Sequence, residues 1–240
     1  MDNNFLIRSE WTKEDLVKLE SYLKSLSKGE EKAMWEQKIV NTKLPCLAID
    51  SKKVNEIINQ IYKGNYFSFI ELFPFTYYTE TIILGSLICK IKDFKLFTHY
   101  LDKYVLMVDN WGSCDTLKFN VQKNNEQKFF ELAKKYIKSS KTFVKRIGIR
   151  ILFKFVNNEK YLSSIYEILN SFENEKEYYV NMVLAWLVCE LFIKQREKTI
   201  DFLQSHKLNK FVMNKAISKC NDSFRISKED KLWLKSFRIK

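Results

Sequence analysis

The sequence predicts an all-α fold: a curved superhelical stack of antiparallel helix pairs. Three observations support this. Apolar residues recur at three- and four-residue spacing along nearly the whole chain, and alternating strand patterns are scarce. Only 5 Gly and 2 Pro occur in 240 residues, so few turns need special backbone angles. The connections between periodic segments run to about two to six residues, which makes successive helices antiparallel neighbours.

Each element has its own signal. Thr12 suits the cap of a first helix running to about Ser27, with Trp11 before it and Asp15 in its first turn. Gly29 breaks that helix. A second covers about 30–42 and ends before Pro45, and a third covers 51–63 and stops at Gly64. Short apolar helices follow at 65–73, broken by Pro74, and at 76–91. The rest are expected at 93–108, 113–121, 125–139, 142–156, 158–172, 175–194, 196–206, 208–220 and 227–237. In "SKED" Ser227 is the cap and Asp230 the third position of a capping box. The pairs 125–156, 158–194 and 196–220 lie near the period of HEAT-like and tetratricopeptide repeats, although no clear sequence repeat is visible. No linker rich in Gly, Pro or Ser interrupts them. Residues 1–240 therefore read as one continuous HEAT-like repeat domain.

Composition excludes several classes. A hydrophobic fraction of 46% supports a sizeable core. The longest strongly apolar uncharged stretch, "YYVNMVLAWLVC" at 178–189, falls short of the about eighteen residues a membrane span needs. The N-terminus "MDNNFLIRSEW" lacks a charged-then-apolar signal pattern, so a cytoplasmic location is expected. Cys46, Cys89, Cys114, Cys189 and Cys220 are odd in number and form no CxxC pair, as befits reduced, mostly buried thiols. His99 and His206 are the only histidines, which argues against a zinc site. There is no phosphate-cradling Gly-rich loop and no H-E-x-x-H.

The net charge of +12 is unevenly divided. Residues 1–120 hold 16 Lys+Arg against 16 Asp+Glu, whereas residues 121–240 hold 25 against 13. The whole surplus sits in the second half. That asymmetry suggests a basic face for a polyanion; a solubilising surface is the plainer alternative.

Three stretches carry candidate chemistry. In "KTFVKRIGIRILFKF" (141–155), Phe143, Ile147, Ile151 and Phe155 form a core stripe. Arg146, Arg150 and Lys154 repeat one position earlier, either as a phosphate-tracking edge or as a solvated flank. Gly148 costs helix propensity and hints at close packing. The stretch "NKAISKCNDSFRISKEDK" (214–231) offers Lys215, Lys219, Arg225, Lys228 and Lys231 among Asn and Ser, a mixture suited to phosphates or to an ordinary surface helix. In "NWGSCDTL" (110–117), Ser113 suits an N-cap, with Asp115 in the first turn against the helix dipole and Trp111 as a buried staple. The alternative is a site, in which the carboxylate stabilises a developing oxocarbenium ion or orients a water and the indole faces a cationic or stacked group.

Taken together, these motifs resemble a family: the DNA alkylation repair proteins, HEAT-like DNA glycosylases of the AlkD type. The resemblance runs from about residue 60 to the C-terminus. It is carried by "VDNWGSCDTL" (108–117), "FVKRIGI" (143–149), "YYVNMVLAWLVCE" (178–190) and "NKAISKCNDSFRISKEDK" (214–231), while "YYTETIILGSLI" (77–88) looks like the family's paired-tyrosine helix. The resemblance implies that Trp111 and Asp115 are catalytic, that Arg146 is the catalytic-cleft arginine, and that Trp186 is a further cleft tryptophan. It implies hydrolysis of the N-glycosidic bond of cationic N3- or N7-alkylated purines in double-stranded DNA, without base flipping and without metal or cofactor. Arg150, Lys154, Lys215, Lys219, Arg225 and Lys228 become candidate DNA contacts. A monomer is expected, cytoplasmic and associated with the nucleoid when on DNA.

One stretch departs from the family pattern. Where relatives usually show Gly-[IV]-x-x-Pro followed by arginines, this chain has "LAIDSKKVNEI" (47–57), with Lys52 and Lys53 but no Gly, Pro or Arg. The departure bears on the N-terminal contacts to DNA and leaves the catalytic positions intact. Beside the glycosylase stand a DNA-binding relative without excision activity, recognising damaged or branched DNA, and a helical protein scaffold, against which the lopsided charge and the intact Trp–Asp–Arg set argue.

Overall fold

In a computed structural model describing residues 3–73 and 76–239, every regular element is helical and no strand occurs among the described residues. The expected break at Pro74 lies outside the described residues. The chain divides into two compact units, Met1–Asn120 and Val121–Lys240. That division falls where the charge changes.

The first unit opens with a 3-10 turn at Asn3–Leu6. It continues with α1 (Lys13–Ser25), α2 (Glu30–Val40), α3 (Ser51–Lys63), α4 (Tyr66–Leu72), α5 (Tyr78–Ile88), α6 (Phe94–Met107) and α7 (Trp111–Asp115). Thr12 and Asp15 form the capping box at α1, each accepting a backbone N–H of the other. The unit is built around α5, in which Tyr78–Thr81, Ile83–Gly85, Leu87 and Ile88 are all buried. A helix apolar on every side belongs inside. Helices α3, α4, α6 and α7 pack against it.

The second unit holds α8 (Glu126–Ile137), α9 (Thr142–Leu152), α10 (Glu159–Asn170), α11 (Tyr178–Lys194), α12 (Arg196–Gln204), α13 (Lys210–Asp222) and α14 (Lys228–Lys235). Here α11 is the central helix, with Val180, Asn181, Val183–Ala185, Leu187–Cys189, Leu191 and Phe192 buried. It packs against α9, α12 and α13. The close approach expected at Gly148 is present. A Cβ there would stand 2.8 Å from the Ile137 amide nitrogen and 2.9 Å from the Ala133 carbonyl oxygen, so α8 and α9 meet backbone to backbone.

Three local expectations need correction. The helix expected at 113–121 is instead Trp111–Asp115, and Ser113 is not its cap. Asn110 takes that place, its Oδ1 accepting the Ser113 N–H at 2.8 Å. Beyond it the chain is irregular, and Leu117 and Phe119 are buried while Lys118 and Asn120 are exposed. Next, α9 ends at Leu152, so Lys154 lies in a turn rather than on the helix. Finally, Ser227 caps α14 through the Asp230 N–H, but the Asp230 carboxylate does not complete the box. Arg196 holds it instead, with Nε 3.0 Å from both oxygens.

All five cysteines are buried and unbridged. Among the described residues no helix is long and apolar enough to cross a membrane, and no three His, Cys, Asp or Glu side chains gather as metal ligands would.

Candidate active site

Trp111 and Asp115 are the first and last residues of α7, one helical turn apart and so on one face. This five-residue helix is too short to stand alone and is held by its surroundings. Its cap, Asn110, is fully buried and donates through Nδ2 to Asp109 at 3.0 Å. Asp109 in turn accepts the Thr42 hydroxyl and the Lys43 N–H, both at 2.8 Å, which ties the segment after α2 to the start of α7. Ser113 shares a hydrogen bond with the Thr81 hydroxyl at 2.6 Å. The fully buried Tyr104 donates to the Thr81 and Ser113 carbonyls at 3.1 and 3.2 Å.

Gly112 makes this packing possible. A Cβ on it would overlap the Tyr78 hydroxyl oxygen. A side chain at 112 would have to displace the Tyr78 phenol, whose hydroxyl reaches the α7 backbone. Trp111 is half-buried against Val40, Cys46 and Tyr78, with Leu44 and Ile82 alongside. Its indole N–H donates to the Ile39 carbonyl in the last turn of α2 at 2.9 Å. It thereby satisfies one of the carbonyls that a helix end leaves without an intrahelical partner.

Acidic groups cluster around Tyr78. Burial raises its phenol well above the ordinary value, and Glu36, Cys46 and Asp115 add to the effect. Burial, reinforced by Glu36, pushes the Cys46 thiol up to about 12. Glu36 is itself raised by burial, although its carboxylate accepts the Ala48 N–H at 2.8 Å. A neutral phenol and a neutral thiol thus line the floor beneath Trp111, and Asp115 is half-buried at its edge.

In the second unit the predicted cations separate into distinct environments. Arg146 is buried at 5% exposure and donates to the Tyr179 carbonyl at 2.6 Å. The Arg146–Arg150–Lys154 edge is therefore not a uniformly exposed stripe. Arg150 lies over the rings of Phe153 and Trp186, 4.5 Å from each centroid, and Lys219 approaches Trp186 at 5.9 Å. Phe153 meets Trp186 edge-on at 4.9 Å. Two cations and two rings, from α9 and the turn after it, α11 and α13, thus form one half-buried group. Arg225 is paired with Glu190, Nη1 to Oε2 at 3.1 Å. Lys154 and Lys228 are exposed, and Lys215 is half-buried.

A model of the family described as DNA alkylation repair enzyme matches residues 16–220. The chain belongs to the DNA alkylation repair enzyme family. No curated protein matches the chain. The family match takes in Trp111, Asp115, Arg146, Arg150, Lys154, Trp186, Lys215 and Lys219, and ends before Arg225 and Lys228. It also spans the divergent stretch 47–57.

Sequence reasoning missed several supports of α7. Asn110 had a legible signal, since Asn is among the strongest caps and directly precedes Trp111. Glu36, Cys46 and Tyr78 had none, because they meet from three separate segments.

Proposed function

We propose that this protein hydrolyses the N-glycosidic bond of cationic N3- or N7-alkylated purines in double-stranded DNA, without turning the lesion out into a pocket. The observation that carries this reading is family membership joined to a tryptophan and a carboxylate one turn apart on α7. An alkylated purine already bears a positive charge. When its bond to C1′ breaks, the bonding pair leaves with the base, which departs neutral and needs no acid. Positive charge then develops on the sugar. Asp115 stabilises that charge and orients the water that attacks C1′, and the water's proton passes to solvent. Trp111 offers its electron-rich face to the cationic nucleotide. The resemblance gives Arg146 the task of holding a backbone phosphate, and the Tyr179 carbonyl orients its guanidinium. The cations of the second unit grip the backbone.

The test is release of 7-methylguanine or 3-methyladenine from alkylated duplex DNA. Asp115→Asn should slow release about 10²–10³-fold, the usual cost of losing one preorganised electrostatic group. Full activity in that variant removes Asp115 from the mechanism, and no release by the wild type from either lesion overturns the reaction. The burial of Arg146 favours one second reading: a relative that grips damaged or branched DNA without cutting. That reading gives salt-sensitive binding with no base release.

A further inference from the structure

An open cavity of about 510 Å³ lies beside α13, lined by Lys210, Phe211, Asn214, Lys215, Ser218 and Arg238. Its volume falls within the about 300–1,000 Å³ of ordinary small-ligand sites. The C-terminal tail forms one wall. The Asn214 side chain fixes it at both ends of one residue, Nδ2 donating to the Ile239 carbonyl at 2.8 Å and Oδ1 accepting the Ile239 N–H at 3.0 Å. Arg238 then reaches the Ser218 hydroxyl at 3.4 Å.

The lining contains three cations, an amide, a hydroxyl and a ring, and no carboxylate. Some cations elsewhere in this unit are paired with carboxylates: Arg196 with Asp230, Arg225 with Glu190, Lys145 with Glu175, Lys198 with Glu159. Among the described residues Lys210, Lys215 and Arg238 make no ion pair. Cations left without counter-charges around a cavity are arranged for an anion. The ring adds a second requirement. Phe211 is 41% exposed and meets Tyr178, 54% exposed, edge-on at 5.7 Å. Two large exposed aromatics beside a cationic pocket match the elements that hold single-stranded nucleic acid, where phosphates meet lysines and bases stack on rings.

We propose that this pocket binds one unpaired nucleotide of a DNA strand, its phosphate held by Lys210, Lys215 and Arg238 and its base laid on Phe211. The inference rests on the reading of the chain as a DNA-handling enzyme, and adds a site that the family match covers only in part. Arg238 and the tail that supports it lie beyond residue 220, where that match ends.

The experiment compares a labelled blunt duplex with the same duplex carrying a single-stranded overhang, by fluorescence anisotropy, on the full chain. The overhang should bind about five- to tenfold more tightly, the gain expected of one stacked base. Phe211→Ala should abolish that preference and leave blunt-duplex binding unchanged. The double variant Lys215→Gln, Arg238→Gln should weaken the overhang complex more than the blunt one. These side chains are exposed or at the cavity wall, and matched thermal midpoints confirm intact variants. An overhang preference that survives Phe211→Ala overturns the proposal, as does equal binding of the two duplexes by the wild type. Loss of the preference in the presence of stoichiometric thymidine monophosphate assigns the pocket to a free nucleotide and overturns the strand assignment. Base release measured alongside separates the two readings. Release without overhang preference removes the pocket alone, and overhang preference without release removes the reaction alone.

Discussion

The two units share a plan and differ in charge. Each surrounds one helix that is apolar on every side, α5 in the first and α11 in the second. Residues 1–120 balance 16 cations with 16 anions, whereas residues 121–240 carry 25 against 13. The first unit directs polar groups inward, into the Thr42–Asp109–Asn110 and Thr81–Ser113–Tyr104 networks that hold α7. The second spreads cations outward and neutralises only some of them. Glu175 shows the local balance there. Burial opposes its ionisation, but Lys145 at 2.6 Å and nearby backbone N–H groups hold its carboxyl below the ordinary value. The lesson is that the core does not require the charge. The same helix-centred arrangement forms with either surface, so the surplus of +12 in the second unit is not a requirement of folding.

This contrast can be tested first at the two tight glycines. Gly112→Ala in the first unit drives a methyl toward the buried Tyr78 hydroxyl, and Gly148→Ala in the second drives one into the α8 backbone. Each should cost about 1–3 kcal/mol in denaturant unfolding. A loss below about 0.5 kcal/mol at either position would show that its neighbours give way, as surface sites usually do. Next in size is the salt response. Replacing Lys154 and Lys219 by Gln should lower the slope of log K against log salt by about 0.9 for each phosphate left unneutralised. The matching pair in the first unit, Lys52→Gln and Lys53→Gln, should leave the slope unchanged, since Lys53 already faces Glu56 at 3.1 Å. Equal effects would break the division of labour. The smallest expected effect is a gain. Ala48 sits at φ 50, in the left-handed region that disfavours a Cβ. Ala48→Gly should raise stability by about 1 kcal/mol, read as a higher thermal midpoint.

Ala48 also shows what sequence could and could not reveal. The stretch 47–57 reads as a departure because it lacks glycine. The backbone nonetheless makes the left-handed turn, with the Glu36 carboxylate accepting the Ala48 N–H. Periodicity located α3 at 51–63, where Ser51–Lys63 is found, because its apolar spacing is regular and Gly64 ends it. It misplaced α7, where two competent caps lie three residues apart and tertiary packing chooses between them. Spacing placed Arg146 beside Ile147 but gave no depth, and the Tyr179 backbone on α11 decides that Arg146 is buried. The charge asymmetry needed only counting. The Glu36–Cys46–Tyr78 floor was invisible, since long-range meetings leave no local pattern.

The Trp111 bond to the Ile39 carbonyl has a consequence for selectivity. Indole has a single donor, and here the protein's own backbone occupies it. The ring therefore has no hydrogen bond with which to read the edge of a base. It can discriminate only by shape and by the sign of charge above its face. If the proposed reaction holds, such a surface would be indifferent to which purine it meets and sensitive to whether that purine has become a cation. On the proposed reading, damage would register there as a change of charge, without regard to sequence.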